Sequence, residues 1–293
     1  MIGFSSLGVH GRLGNQLHQY ALLKAVSEKT GFEIALKKDI FDSVHHGQKC
    51  LLENFKLPSA NFVDFRPQFS FMETGYRVYE ESVFSVKDNT DFFGHFEHQK
   101  YASDIRDILL EEFALKDEIF DSCQRKLREL LRKEDKDQSK PLVVLHIRRG
   151  DLVDAPPEES SWAFSFAPGT PYGDYYSKAI EKLPDCNILV FSGGARMGGM
   201  ELEERNRIDI EWCRDNIFKD DRFIFAGNFN DIETFYCMTN CDYNITSYGS
   251  TFSWWGSFLN PKSVVFAPRK FFPTVKFNEF SEDQFYPPYW SLI

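Results

Sequence analysis

The run Val143-Val144-Leu145-His146-Ile147-Arg148-Arg149-Gly150-Asp151 sets a histidine, two guanidiniums and a carboxylate at the end of an apolar, β-branched segment. Such a segment reads as a buried strand, and ligands of an open α/β sheet bind at the carboxyl ends of its strands. Two planar guanidinium forks there suit phosphate oxygens, so the run predicts a site for a phosphorylated ligand. A surface salt-bridge cluster is the competing reading of the same residues.

Two further stretches carry polar groups at turns. Gly11-Arg12-Leu13-Gly14-Asn15-Gln16 is a glycine-rich turn opening a helix, whose N–H groups can face an anion or a sugar. Its glycine spacing is wrong for a dinucleotide fingerprint, and it lacks the lysine of a P-loop. A plain structural turn, with Asn15 as helix cap, explains it equally. Tyr248-Gly249-Ser250-Thr251-Phe252-Ser253-Trp254-Trp255-Gly256 is a second strand-to-helix turn, where Ser250 and Thr251 can cap the helix and donate hydroxyls to phosphate. An ordinary N-cap followed by buried tryptophans is the alternative.

The elements that must position these residues are regular from Pro141 onward. Strands read at Leu142–Ile147, Asn187–Phe191, Arg222–Ala226, Tyr243–Thr246 and Ser263–Ala267. Helices read between them at Tyr175–Leu183, Met200–Ile217, Asp231–Asn240 and Thr251–Leu259. This alternation predicts a parallel sheet with helices on both faces. Arg148 to Asp151, Gly193-Gly194, Gly227-Asn228 and Ser247 to Thr251 then fall at strand ends and converge on one ligand cleft. The segment Ala155–Gly173, with Trp162, Phe164 and Phe166, reads as a lid, a substrate wall or plain packing. The N-terminal half is less regular. A strand-like Ile2–Leu7 leads into an amphipathic helix over Asn15–Lys29 stopped by Gly31, and a second helical region covers Ala102–Arg132 with a break near Leu115-Lys116. The charge run Lys133–Lys140 divides the chain into domains at 1–135 and 141–293, with a C-terminal tail able to pack back on the first.

Composition bounds the partners. A chain of 293 residues, 42% hydrophobic, buries a real core and suffices for about two domains. Net charge is −10, which argues against nucleic acid and anionic membranes as partners. Six cysteines form no Cys-x-x-Cys pair and read as reduced, buried thiols of a cytosolic protein. The start, Met1 to Ser6, lacks signal-peptide features, and no segment approaches the roughly 20 apolar residues of a membrane helix, so a cytoplasmic location without stable membrane insertion is expected. Asn244-Ile245-Thr246 matches a glycosylation acceptor by chance, inside a predicted strand. Asp135-Lys136-Asp137 is the one Asp-x-Asp, and it lies in the charge run, so no metal site is expected.

The three motifs, in this order, resemble the α-1,2-fucosyltransferase family, inverting enzymes that move L-fucose from GDP-fucose to galactosides. Gln19-Tyr20-Ala21, Phe93-Gly94-His95-Phe96-Glu97 with Lys100-Tyr101, and Tyr175-Tyr176 with Lys178-Ala179-Ile180 add to a likeness over nearly the full length. His18, Tyr248-Gly249 and Gly193-Gly194 depart from the family pattern and bear on acceptor choice more than on donor choice. The resemblance implies an α/β protein of two Rossmann-like domains facing a cleft, the GT-B type, with the nucleotide held mainly by the C-terminal half. It implies GDP-fucose and a galactose-containing oligosaccharide as partners, without cofactor or metal. Carried over residue by residue, it puts Arg148 on the β-phosphate and Asn15 near the reacting sugar as the catalytic pair. Arg149 reaches the same phosphate or packs the turn, and Asp151 orients an arginine or holds the turn. His146 lines the guanine or ribose side or is a core histidine. Ser250, Thr251 and the Phe252 N–H hold phosphates, and Gly14 and Gln16 belong to the donor site. Asp151, Asp154, Asp174 and Glu97 are unranked candidates for a base. Another GDP-deoxyhexose or linkage, and a non-catalytic sugar-nucleotide or glycan-binding module, are the alternative functions.

Overall fold

The structure is a computed structural model that describes residues 1–42, 44–45, 48–75, 77–150, 153, 171–193, 202–217, 219–269 and 282–293. Asp151, Asp154, Gly194 and most of the Ala155–Gly173 segment therefore lie outside the described residues. The chain forms two compact units, Met1–Ile119 with Phe280–Pro288 and Phe120–Glu279 with Tyr289–Ile293.

In the N-terminal unit the elements are β1 (Ile2–Gly3), α1 (Leu13–Thr30), β2 (Ile34–Leu36), a small hairpin of β3 (Val44–His45) and β4 (Gln48–Lys49), β5 (Ala60–Phe62), β6 (Phe69–Met72), β7 (Thr90–Phe93), α2 (Lys100–Ser103), α3 (Arg106–Glu112) and the start of α4 (Asp117–Lys133). Among the described residues its main sheet runs β5-β2-β1-β7-β6, every pair parallel. The chain thus begins in the middle of the sheet, fills one side, then crosses to the other, which creates a topological switch point between β1 and β7. The expected amphipathic helix is instead enclosed. Every residue of α1 from Leu13 to Val26 is buried except Asn15. Gly31 ends it at φ 75, the left-handed cap that glycine adopts freely.

The C-terminal unit continues with β8 (Leu142–Arg148), α5 (Pro171–Glu181), β9 (Asn187–Gly193), α6 (Leu202–Asn216), β10 (Phe223–Phe225), α7 (Asp231–Thr239), β11 (Tyr243–Ile245), α8 (Thr251–Phe258) and β12 (Val264–Ala267); β13 (Ser291–Leu292) joins it after the short α9 (Glu282–Phe285) of the first unit. Its parallel sheet runs β10-β9-β8-β11-β12-β13, the doubly wound order with its switch point between β8 and β11. Val143, Leu145 and Ile147 of β8 pack with Tyr176 and Ala179 of α5 and with Ile210 and Cys213 of α6. The alternate residue His146 instead meets Phe252 of α8, and Phe252 meets Phe235 of α7. Alternation along one strand thereby puts helices on both faces, as expected.

The division between units falls inside α4, not in the charge run. The reason is local: Phe120 packs edge-on against Tyr236 at 5.0 Å, and Lys126 pairs with Glu233 at 2.6 Å, so most of α4 belongs to the C-terminal unit. All six cysteines are buried and free. Asn244 is buried, its amide engaged by the Met238 carbonyl at 2.9 Å, which closes it to glycosylation. Among the described residues no helix is long and apolar enough to cross a membrane.

Candidate functional site

In the C-terminal unit the site residues gather at the switch point. The Arg148 N–H, at the end of β8, donates to Ser247 Oγ at 2.8 Å, and its guanidinium donates to the Gly249 carbonyl. Ser247 also accepts from the Tyr176 hydroxyl at 3.2 Å, and its N–H donates to Ser253 Oγ at 3.1 Å, which ties β8, α5 and α8 together. Gly249 takes φ 59, where a side chain would strain the backbone. Ser250 caps α8 by accepting the Ser253 N–H at 3.2 Å, while Thr251 and Phe252, both half-buried, form its first turn. The first N–H groups of any helix lack intrahelical acceptors and carry the positive end of its dipole. A half-buried guanidinium beside such a turn has the chemistry to meet an anion.

The two arginines diverge. Arg149 is buried, its Nε donates to Asp209 at 3.0 Å, and its guanidinium lies 3.6 Å from the centre of the Trp212 ring. Asp209 is fully buried and also accepts the Gly150 N–H at 3.3 Å. Of the two roles open to Arg149 in the sequence, this geometry favours packing of the turn. His146 is buried, 5.5 Å from the Phe252 ring, with its carbonyl accepting from the Tyr176 hydroxyl at 2.9 Å, which fits a core histidine under α8. Asp174 is half-buried in the first turn of α5.

The N-terminal unit builds a second cluster at its own switch point. Gly11, at φ 94, lies so close to α1 that a Cβ would sit 2.4 Å from Asn15 Cβ. The Asn15 side-chain nitrogen donates to Glu97 Oε1 at 2.8 Å and lies 3.1 Å from His95 Nδ1. Arg77 donates through Nε at 3.1 Å and Nη2 at 2.9 Å to the other oxygen of Glu97. Both partners of this ion pair are buried. Burial pushes the Glu97 carboxyl up, but Arg77, with its charge and its hydrogen bonds, outweighs this and holds it below the usual carboxylate range. Burial, opposed by Glu97, drives the neighbouring His18 imidazole down to about 3, so it stays neutral.

Gln16 is turned inward. Its carbonyl oxygen accepts the Leu51 N–H at 3.1 Å, and its nitrogen donates to the Gly11 carbonyl at 3.3 Å. Gly14 is buried within the same turn. Gln19 donates to the His10 and Gly94 carbonyls, both at 3.1 Å, joining the loops after β1 and β7. Arg12, not Asn15, occupies the cap position of α1. Asn15 thus combines partial exposure with a buried charge behind it.

Sequence reasoning placed Ser247 at the cleft but missed Arg77, His95 as a partner of Asn15, and Asp209. Asp209 had a signal, since it precedes Cys213 by one turn on the buried face of α6, a position a charge occupies only with a partner. Arg77 had none.

The O-antigen biosynthesis glycosyltransferase WbnK of Escherichia coli is 27% identical over 232 residues, covering 76% of this chain but 64% of its own length. The galactoside alpha-(1,2)-fucosyltransferase 1 of Aotus azarae is 24% identical over 296 residues, covering 96% of this chain and 72% of that protein. Among solved structures, the fucosyltransferase NodZ from Bradyrhizobium superposes with a TM-score of 0.51 at 10% identity, over 89% of this chain and 93% of that one, a likeness of fold. The model of Glycosyl transferase family 11 matches residues 2–293, and the chain belongs to that family.

Proposed function

We propose that the protein transfers L-fucose from GDP-fucose to the 2-hydroxyl of a terminal galactoside, with inversion and without a metal ion. The observation that carries this reading is Arg148, half-buried at the switch point beside the first turn of α8. As the bond from the anomeric carbon to the β-phosphate oxygen breaks, an oxocarbenium-like sugar forms and charge collects on the departing diphosphate. The Arg148 fork and the N–H groups of Thr251 and Phe252 meet that charge, which lowers the barrier because they bind it more strongly than the intact donor. The acceptor oxygen bonds the opposite face of the anomeric carbon and releases its proton to solvent water, as a strongly dissociative step with little base assistance allows. Glu97 is a poor base for that proton, because Arg77 and Asn15 already engage its oxygens. The galactoside alpha-(1,2)-fucosyltransferase relative supports the linkage.

Arg148 and the helix N–H groups, placed where they can meet the leaving group's charge, support metal independence. Asp137 of the Asp-x-Asp accepts from Ser139 in an exposed turn. A panel of nucleotide sugars and acceptors, read by mass spectrometry with linkage analysis and repeated in EDTA, tests the proposal. Fucose on O2 of galactose, undiminished by chelator, is the expected product. Transfer of another sugar, another linkage, or loss in EDTA restored by one metal would overturn the corresponding part.

A further inference from the structure

The cluster at the N-terminal switch point has a direction to it. It begins at Arg77, buried and held at φ 63, a left-handed conformation uncommon outside glycine. Arg77 keeps Glu97 ionised. An ionised carboxylate 2.8 Å from the Asn15 side chain fixes the orientation of that amide, because a carbonyl oxygen turned toward Glu97 would face like charge. The amide nitrogen that faces Glu97 carries a second proton, and the same nitrogen lies 3.1 Å from His95 Nδ1. His95 Nδ1 must then accept, which leaves the ring proton on Nε2. Asn15 and His95 are the half-buried members of a set whose other members, Arg77, Glu97 and His18, are buried. The chain of constraints therefore runs from the core outward and ends on the imidazole.

We infer that Arg77, Glu97 and Asn15 act through one another to hold His95 in the Nε2–H form, as a hydrogen-bond donor to a sugar hydroxyl or ring oxygen and not as a proton-abstracting base. The inference rests on the proposed sugar transfer. Its topological support is independent: His95 lies in the loop after β7 and Asn15 in the first turn of α1, the helix that follows β1, and ligands of such sheets sit outside the carboxyl ends at the switch point. The sugar could be the fucosyl group or the accepting galactoside, and kinetics separates them. In either case His95 contacts substrate, while Asn15, Glu97 and Arg77 position it.

The full chain with 15N-labelled histidine, studied by long-range proton–nitrogen spectra near neutral pH without substrate, reads the tautomer directly, and His95→Gln assigns the signal. The wild-type ring is expected as the Nε2–H form, giving way to a tautomer mixture in Asn15→Ala, a change at a half-buried position away from the Arg77 core. In assays with GDP-fucose and lactose, His95→Ala should lose on the order of 10- to 100-fold in kcat/KM, as for a lost hydrogen bond. His95→Gln, whose amide nitrogen reaches about as far as Nε2, should recover most of it. A raised KM for lactose assigns the acceptor as the hydrogen-bonded sugar, and a raised KM for GDP-fucose assigns the donor. An Nδ1–H wild-type ring with transfer intact would overturn the inference alone. So would a glutamine variant as poor as the alanine one whose rate also loses its acid limb, the behaviour of a base. A wild-type protein that transfers no sugar would overturn the function itself, and with it the sugar contact.

Discussion

Both units place their polar residues at the point where the strand order reverses, yet the two points are built from opposite chemistry. In the C-terminal unit a cation and a helix N-terminus are arranged around hydroxyls, with Ser247 joining the strand ends. In the N-terminal unit the inner charge is a carboxylate, neutralised by Arg77 and linked outward through an amide to an imidazole. The first arrangement suits a ligand that is anionic and becomes more so at its leaving oxygen. The second offers neutral donors and acceptors, which suit hydroxyl-rich, uncharged material. One topology, used twice, thus carries a cation and a helix N-terminus at one switch point and an amide and an imidazole in front of a buried ion pair at the other.

The largest expected effect lies in the buried ion pair of the C-terminal unit. Arg149→Ala leaves Asp209 buried without its cation and should cost about 3–5 kcal/mol of stability, the range for breaking a buried pair. A thermal melt checks this, and a near-normal melting temperature with abolished turnover would return Arg149 to the phosphate site. Arg148→Ala should do the reverse. Turnover should fall on the order of 100-fold or more with little change in melting, the loss seen when a preorganised charge-stabilising donor is removed. Arg148→Lys should also be poor, because a point charge does not reproduce the planar fork.

The contrast between the units also explains what the sequence made legible. The C-terminal sheet was readable because its long strands are continuous apolar runs, such as Leu142–Ile147, separated by periodic helices. Among the described strands only the two-residue β13, paired to β12, escaped notice. The N-terminal sheet was not readable beyond its first strand at Ile2, since its strands are two to four residues long and β5 and β6 are largely exposed, so neither length nor alternation marks them. The site followed the same division. Arg148, Ser250 and Thr251 stood out because they end a strand or open a helix. Arg77 was invisible because its partner Glu97 lies 20 residues away and no local pattern links them.

A smaller effect sharpens the role of the N-terminal cluster. Asn15→Ala removes the amide between Glu97 and His95 and should lower turnover about 10-fold, in line with a charge-assisted hydrogen bond, while GDP affinity is largely kept. Calorimetric GDP binding and turnover on one preparation decide the matter. Because Arg12 holds the cap position, a loss of melting temperature with unchanged turnover cannot be read as a lost cap. It would make the cluster a structural pair and erase the division of chemistry between the units.

The smallest expected effect concerns Ser250, where capping and phosphate binding compete for one hydroxyl. Its oxygen accepts the Ser253 N–H, and the residue is buried, so the side chain closes α8 from within. Thr251 and Phe252, one and two residues on, are the half-buried members of the turn. A cap of this kind contributes about 1 kcal/mol, and Ser250→Ala should lower stability by that amount. Ser250→Asp should keep the cap, since a carboxylate accepts the same N–H and suits the helix dipole, but its charge beside the diphosphate would repel it. The pair therefore separates the two roles. If the hydroxyl is a cap alone, the alanine variant melts lower yet binds GDP normally, and the aspartate variant melts normally yet binds GDP weakly. If it holds phosphate directly, both variants lose GDP affinity, and the anion site at the C-terminal switch point extends from Arg148 through Ser250 to the first N–H groups of α8.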